Sequence, residues 1–128
     1  RHLRAGRIAV LTPYVDEVNE LIADYLEGRG FALPVFARFG LDTDIRMSTV
    51  LPETIERAVL DLEPGSAEAV FICCTALRSV TTIARLEARV GLPVVTSNQA
   101  MLWDMLGAAG YGRPIRGYGR LLEEVPAR

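Results

Sequence analysis

Residues 69–73, Ala69-Val70-Phe71-Ile72-Cys73, are apolar at every position. A strand buried on one face only would alternate polar with apolar side chains. The unbroken run predicts a strand covered on both faces, at the centre of a parallel sheet. Toward the N-terminus, Arg7 to Leu11 predicts a first strand ending at Thr12-Pro13. Asp16 to Glu27 predicts a helix, because Val18, Leu21, Ile22, Tyr25 and Leu26 recur at helical spacing. Asp16 and Glu17 suit the positive end of its dipole, and Gly28 and Gly30 stop it. Phe31 to Phe39 predicts a second strand, which Pro34 places at an edge or an irregular position. A polar loop follows over Gly40 to Met47. Pro52 then opens a helix with Ile55, Ala58, Val59 and Leu62 inward, and Glu63-Pro64-Gly65-Ser66 is a turn.

Toward the C-terminus, the pattern predicts a helix from about Leu77 to Val90, closed by Gly91, and a strand over Pro93 to Thr96. Ser97-Asn98 is a plausible N-cap for a helix from about Gln99 to Ala109. Strands alternating with helices imply an α/β fold: three layers, with a roughly four-stranded, mainly parallel sheet and helices on both faces. Residues 1–128 read as one domain. The last predicted helix is apolar around nearly its whole circumference, with Asp104 as its one charged residue. Such a helix calls for cover on all sides. Residues 110–128, with glycines at 110, 112, 117 and 119, read as a tail that packs on something outside this domain.

The 128 residues are 50% hydrophobic, with a formal net charge of -2 and a mean hydropathy of +0.22. That content supports a sizeable core, and the arginines are dispersed, so no basic field for nucleic acid is expected. No apolar run approaches the roughly 20 residues of a membrane span. Arg1-His2-Leu3-Arg4 is not followed by the apolar stretch of a signal peptide. Adjacent Cys73 and Cys74 suggest no disulfide framework, and a reducing, cytoplasmic setting fits best. The chain has no lysine, which removes Schiff-base chemistry and a P-loop. Its single histidine, His2, makes a Ser-His-Asp triad or a His-ligated metal site an unfavoured reading. No metal or cofactor is expected. The groups left for chemistry are a thiol, carboxylates, hydroxyls, a phenol and backbone amides.

Ligands of open α/β sheets bind beyond the carboxyl ends of the strands. The residues falling there are Thr12, Pro13 and Tyr14; Gly40 to Asp44; Cys74, Thr75 and Ala76; and Thr96 to Gln99. Two predicted helix starts point into this cluster, where free amides suit a carboxylate or phosphate. The helix expected after Cys74 would also favour the thiolate, a group able to move a proton at carbon or attack an electron-poor centre. Structural readings stand beside these. Cys74 can be a packed core cysteine, Tyr14 a rim or core residue, and Asn98 a cap as well as a ligand. Cys73, one residue earlier, is expected to pack on the opposite face. Asp42 and Asp44 read as a solvated loop before a metal site, and Trp103 with its neighbouring methionines as core or interface.

The order of four segments resembles the second half of the Asp/Glu racemase superfamily. They are Arg7 to Asn19 (RIAVLTPYVDEVN), Phe71 to Val80 (FICCTALRSV), Leu86 to Ala100 (LEARVGLPVVTSNQA) and Gly117 to Glu123 (GYGRLLE). The likeness is to the branch of maleate cis-trans isomerase, arylmalonate decarboxylase and the ectoine-utilisation protein. It implies one half of a two-domain fold, with the site in a cleft between the halves and a thiol available from each. By that resemblance Cys74 is the acid/base thiol, and Tyr14 the active-site tyrosine of the Thr-Pro-Tyr segment beside Pro13. Thr75, Ala76 and Asn98 then hold a small mono- or dicarboxylate. Thr43 and Asp44 stand where the isomerases place a substrate-holding asparagine. Cys74-Thr75-Ala76 departs from the Cys-Gly-Gly of the decarboxylases and leans toward the isomerase or ectoine-utilisation side. Residues 110–128 would pack on the missing N-terminal domain, and assembly into a homo-oligomer is left open. Three functions remain: isomerase or racemase, decarboxylase of a malonate-like acid, or a non-catalytic carboxylate-binding or oligomerising domain.

Overall fold

The computed structural model describes residues 2–125. The expectations for Arg1 and for the end of the tail, 126–128, fall outside the described residues. Four strands, β1 (Arg7–Tyr14), β2 (Ala32–Leu41), β3 (Ala69–Ile72) and β4 (Val94–Thr96), form one sheet in the order β2-β1-β3-β4. Every pairing is parallel. The two inner strands are the two that bury both faces. Ala9 and Leu11 of β1 and Val70 and Ile72 of β3 enter one core, while Ile8, Val10 and Ala69 enter the other. Pro34 lies on β2, at the sheet edge.

The first core is closed by α2 (Asp44–Ser48), α3 (Pro52–Asp61) and α4 (Ile83–Val90). They contribute Met47, then Ile55 and Val59, then Ile83 and Leu86. A fully buried Leu or Ile contributes about 1.5–3 kcal/mol by leaving water, and this face holds most of them. The second face carries α1 (Asp16–Gly28) and α5 (Ser97–Ala108). It is less complete: Leu26, Phe31, Phe71, Val95, Ala100 and Trp103 line an open apolar groove of about 500 Å³. Apolar side chains also stand exposed on both helices, among them Leu21 (70%) and Met105 (66%).

Three local departures from the sequence reading bear on the site. Strand β1 continues to Tyr14 rather than ending at Thr12-Pro13, because β2 runs alongside it as far as Leu41. Pro13, which has no N–H to give, sits where the pairing register shifts between Thr12 and Tyr14. The polar loop after β2 contains helix α2, started by Thr43, whose hydroxyl accepts from the Arg46 amide at 3.4 Å, and braced by an Asp42–Arg46 ion pair. The helix expected from Leu77 begins only at Ile83, after a 3-10 turn at Val80–Thr82. Leu77 is buried in the core and holds the chain in a loop. Its β-branched successors Val80, Thr81 and Thr82 have weak helix propensity, and Thr82 turns its hydroxyl back to the Ser79 carbonyl at 2.7 Å.

The tail has an anchor within this chain. Leu121 and Leu122 of α6 (Arg120–Glu123) are buried, as is Val125. The Arg120 amide donates to the buried Glu87 carboxylate at 2.9 Å, and the Trp103 indole donates to the Glu124 carbonyl at 3.1 Å. Residues 110–114 and 116–118 remain exposed.

Candidate active site

The carboxyl ends of β1, β3 and β4 and the segment after β2 meet at one edge of the sheet. At its centre is Cys74, two residues past the end of β3. Its φ is +112°, although it is not a glycine. Such a conformation costs of order 1–3 kcal/mol and persists only where surrounding contacts impose it. The contacts are visible. The Cys74 amide donates to Ser97 Oγ at 3.1 Å, and the Ala76 amide donates to Cys74 Sγ at 3.3 Å. Asn98 Nδ2 donates to the Thr75 carbonyl at 3.0 Å.

The Tyr14 side chain lies close enough to the same sulfur to interact with it. Burial first, and then the neighbouring Cys74, Cys73 and Asp44, push the phenol well above its ordinary value. It therefore stays protonated and can donate. Its backbone is held by Asn19, whose Nδ2 donates to the Tyr14 carbonyl at 2.9 Å while its Oδ1 accepts from the Thr12 hydroxyl. From α2, Met47 Sδ lies 3.9 Å from the Cys74 sulfur. Cys74 retains 4% of its exposure, but the wall around it is not sealed: Thr75, Asn98 and Asp44 are exposed and Tyr14 is half-buried.

The structure thus brings Tyr14, Cys74, Thr75, Ala76 and Asn98 to one edge, with Pro13 buried in β1 beneath them. Two expectations change. No helix starts directly after Cys74. The amide on its sulfur belongs to a loop, and the nearby helix start is that of α5. The N-cap of α5 is Thr96, in a reciprocal capping box with Gln99, so Ser97 and Asn98 lie in the first turn with side chains free to tie the thiol loop. Cys73 is half-buried beside Ser97, with 4.0 Å between its sulfur and Oγ, and burial pushes its thiol up. The sequence reading did not place Asn19 or Met47 at the site, and it included Ser97 only as one of the strand-end residues Thr96 to Gln99. Only Ser97 carried a signal, its place next to Asn98. Among the described residues no three of His, Cys, Asp and Glu gather closely enough to hold a metal ion, and no helix is long and apolar enough to cross a membrane.

Comparison with known proteins gives this arrangement a family. The arylmalonate decarboxylase family model matches residues 1–122. The chain belongs to that family. It is 33% identical to arylmalonate decarboxylase of Bordetella bronchiseptica, over 97% of this chain and 53% of that protein. It is 30% identical to a maleate isomerase of Pseudomonas putida KT2440, over 94% of this chain and 48% of that protein. Among solved structures, a mutant arylmalonate decarboxylase in a sulfate-associated form superposes with a TM-score of 0.87 at 31% identity, covering 97% of this chain and 55% of that one. Maleate isomerase from Pseudomonas putida S16 superposes at 0.93 with 24% identity, over 98% of this chain and 51% of that one, a likeness of fold. The chain spans about half the length of the relatives it matches.

Proposed function

We propose that this chain is the C-terminal half of a two-domain, cofactor-independent isomerase or racemase that works at carbon beside a carboxylate, with Cys74 as its acid/base thiol. The observation that carries the reading is the convergence on one sulfur. A loop amide donates to Cys74 Sγ and the Tyr14 side chain lies close to it, at the sheet edge where α/β folds bind ligands. The family supports it. Its relatives include maleate isomerases, and a mutant Nocardia farcinica maleate isomerase of the same fold, 24% identical to this chain, carries a covalently bound succinylcysteine. In this reading Cys74 delivers or removes a proton and Tyr14 hydrogen-bonds the substrate. Thr75, Ala76 and Asn98 face a small mono- or dicarboxylate, and the missing half completes the cleft and meets the exposed residues 110–114 and 116–118.

A second reading, decarboxylation of a malonate-like acid, is favoured by the family model and by the 33% identity to a decarboxylase. There a single thiol suffices, protonating the enolate left when carbon dioxide departs. The full-length protein, given maleate and an arylmalonate in deuterated water, separates the two by fumarate formation or by carbon dioxide release with deuterium at carbon. Cys74→Ala should abolish either reaction with the fold retained. Turnover surviving in that variant would overturn the assignment, and carboxylate binding without exchange at carbon would mark a non-catalytic domain.

A further inference from the structure

The α5 helix does more than border the site, and its first turn explains how a non-glycine residue is kept at a positive φ. Ser97 Oγ accepts the Cys74 amide hydrogen at 3.1 Å, with its own hydrogen available toward Cys73 Sγ at 4.0 Å. One residue on, Asn98 Nδ2 holds the Thr75 carbonyl at 3.0 Å. The two bonds grip successive residues of the thiol loop from one rigid helix end, itself fixed by the capping box of Thr96 and Gln99. They hold the peptides on either side of the Cys74–Thr75 link, the Ser97 bond the 73–74 peptide and the Asn98 bond the 75–76 peptide. The second of these carries the Ala76 amide, 3.3 Å from the sulfur.

We propose that Ser97 is a positioning residue that holds Cys74 at φ +112° and so presents its sulfur to the Ala76 amide, with Asn98 bracing the far side of the same loop. The proposal rests on Cys74 being the reactive thiol. The mechanism is specific to an acceptor at position 97. Without one, the Cys74 amide loses its partner in a partly buried setting, and the backbone strain loses the one bond made to the Cys74 amide itself. Threonine keeps an acceptor oxygen at the same place. Alanine does not.

The test is nuclear magnetic resonance of this chain, reading the backbone coupling constants of Cys74, which distinguish positive from negative φ, and the exchange of its amide hydrogen. In Ser97→Ala the couplings should move to negative φ and amide exchange should quicken at least tenfold, while Ser97→Thr should keep both as they are. Asn98→Ala, at an exposed position the fold tolerates, should quicken exchange across Thr75 and Ala76, and supplies the comparison if Ser97→Ala does not fold. Unchanged Cys74 couplings in Ser97→Ala, or unchanged loop exchange in Asn98→Ala where only that variant folds, would overturn the proposal. In the full-length protein Ser97→Ala should lower kcat about tenfold at constant KM, with recovery in Ser97→Thr. Full turnover in Cys74→Ala would remove the functional reading instead, and the couplings would still decide whether Ser97 holds the loop.

Discussion

Tyr14, at the end of β1, and Cys74, two residues past the end of the neighbouring β3, interact side chain to side chain at the open edge of the sheet. The phenol keeps its proton, because burial and the nearby sulfur both oppose its ionisation. The pair places a neutral donor beside a thiol, and a hydroxyl so placed can steady charge on the sulfur or on a substrate oxygen as it develops.

The Tyr14 phenol therefore sets a pH dependence of stability. Its value in the folded chain is raised above that in the unfolded chain, near 10. Below that pH both states hold the proton and stability is unaffected. As pH rises past it, the unfolded state loses the proton first, so stability falls. Urea unfolding between pH 9 and about 11.5 should show this decline, and Tyr14→Phe should lessen it, leaving the part that the raised Cys73 thiol contributes. In the full-length protein, under the proposed function, the same variant should lower kcat by about 10- to 100-fold, the scale of one lost donor at a reacting centre. An unaltered alkaline slope in Tyr14→Phe would place the pH dependence elsewhere.

The backbone of Cys74 gives a second expectation. At φ +112° glycine is free of the strain that any side chain with a Cβ meets, at a cost in unfolded-chain entropy of about 0.4–1 kcal/mol. The strain relieved is of order 1–3 kcal/mol. Cys74→Gly should thus be more stable than Cys74→Ala by about 1 kcal/mol, although both lack the sulfur and should be equally inactive in the full-length protein. Denaturant midpoints of the two variants decide it. Elsewhere in the sheet, at Ile72 for instance, the order would reverse.

How far the sequence foretold this site depends on what leaves a periodic trace. The run Ala69 to Cys73 marked the central strand because two-sided burial removes alternation, and Pro34 marked an edge because it lacks a donor. The late start of α4 left no such trace. Leu77, Val80, Ile83 and Leu86 stand three apart and imitate a helix face, yet Leu77 is a loop anchor and Val80 is exposed. Asn19 falls among the polar positions of α1, where nothing separates a solvated amide from one buried to hold the end of β1. The positive φ of Cys74 was equally hidden, since the usual sign of that conformation is glycine. The cluster of candidate residues survived these misses because strand order alone delivers strand ends to one edge.

The attachment of the tail offers the last expectation. Gly119 has φ +87° and is buried. A Cβ there would collide with Ile83 Cγ2 and lie 3.1 Å from Glu87 Oε1 and 3.2 Å from Gln99 Nε2. The first of these is a core side chain with no freedom to withdraw. The other two belong to groups already engaged, Glu87 with the amides of Val94 and Arg120, and Gln99 with the Tyr118 carbonyl and the Thr96 cap. Gly119→Ala combines overpacking with backbone strain and should cost about 2–4 kcal/mol. Because Gln99 caps the helix that carries Ser97 and Asn98, the damage should reach the thiol loop. The expected result is faster amide exchange at Thr75 and Ala76, together with faster proteolytic cleavage within residues 110–118. Cleavage without any change at Thr75 and Ala76 would show that the tail and the thiol loop are independent.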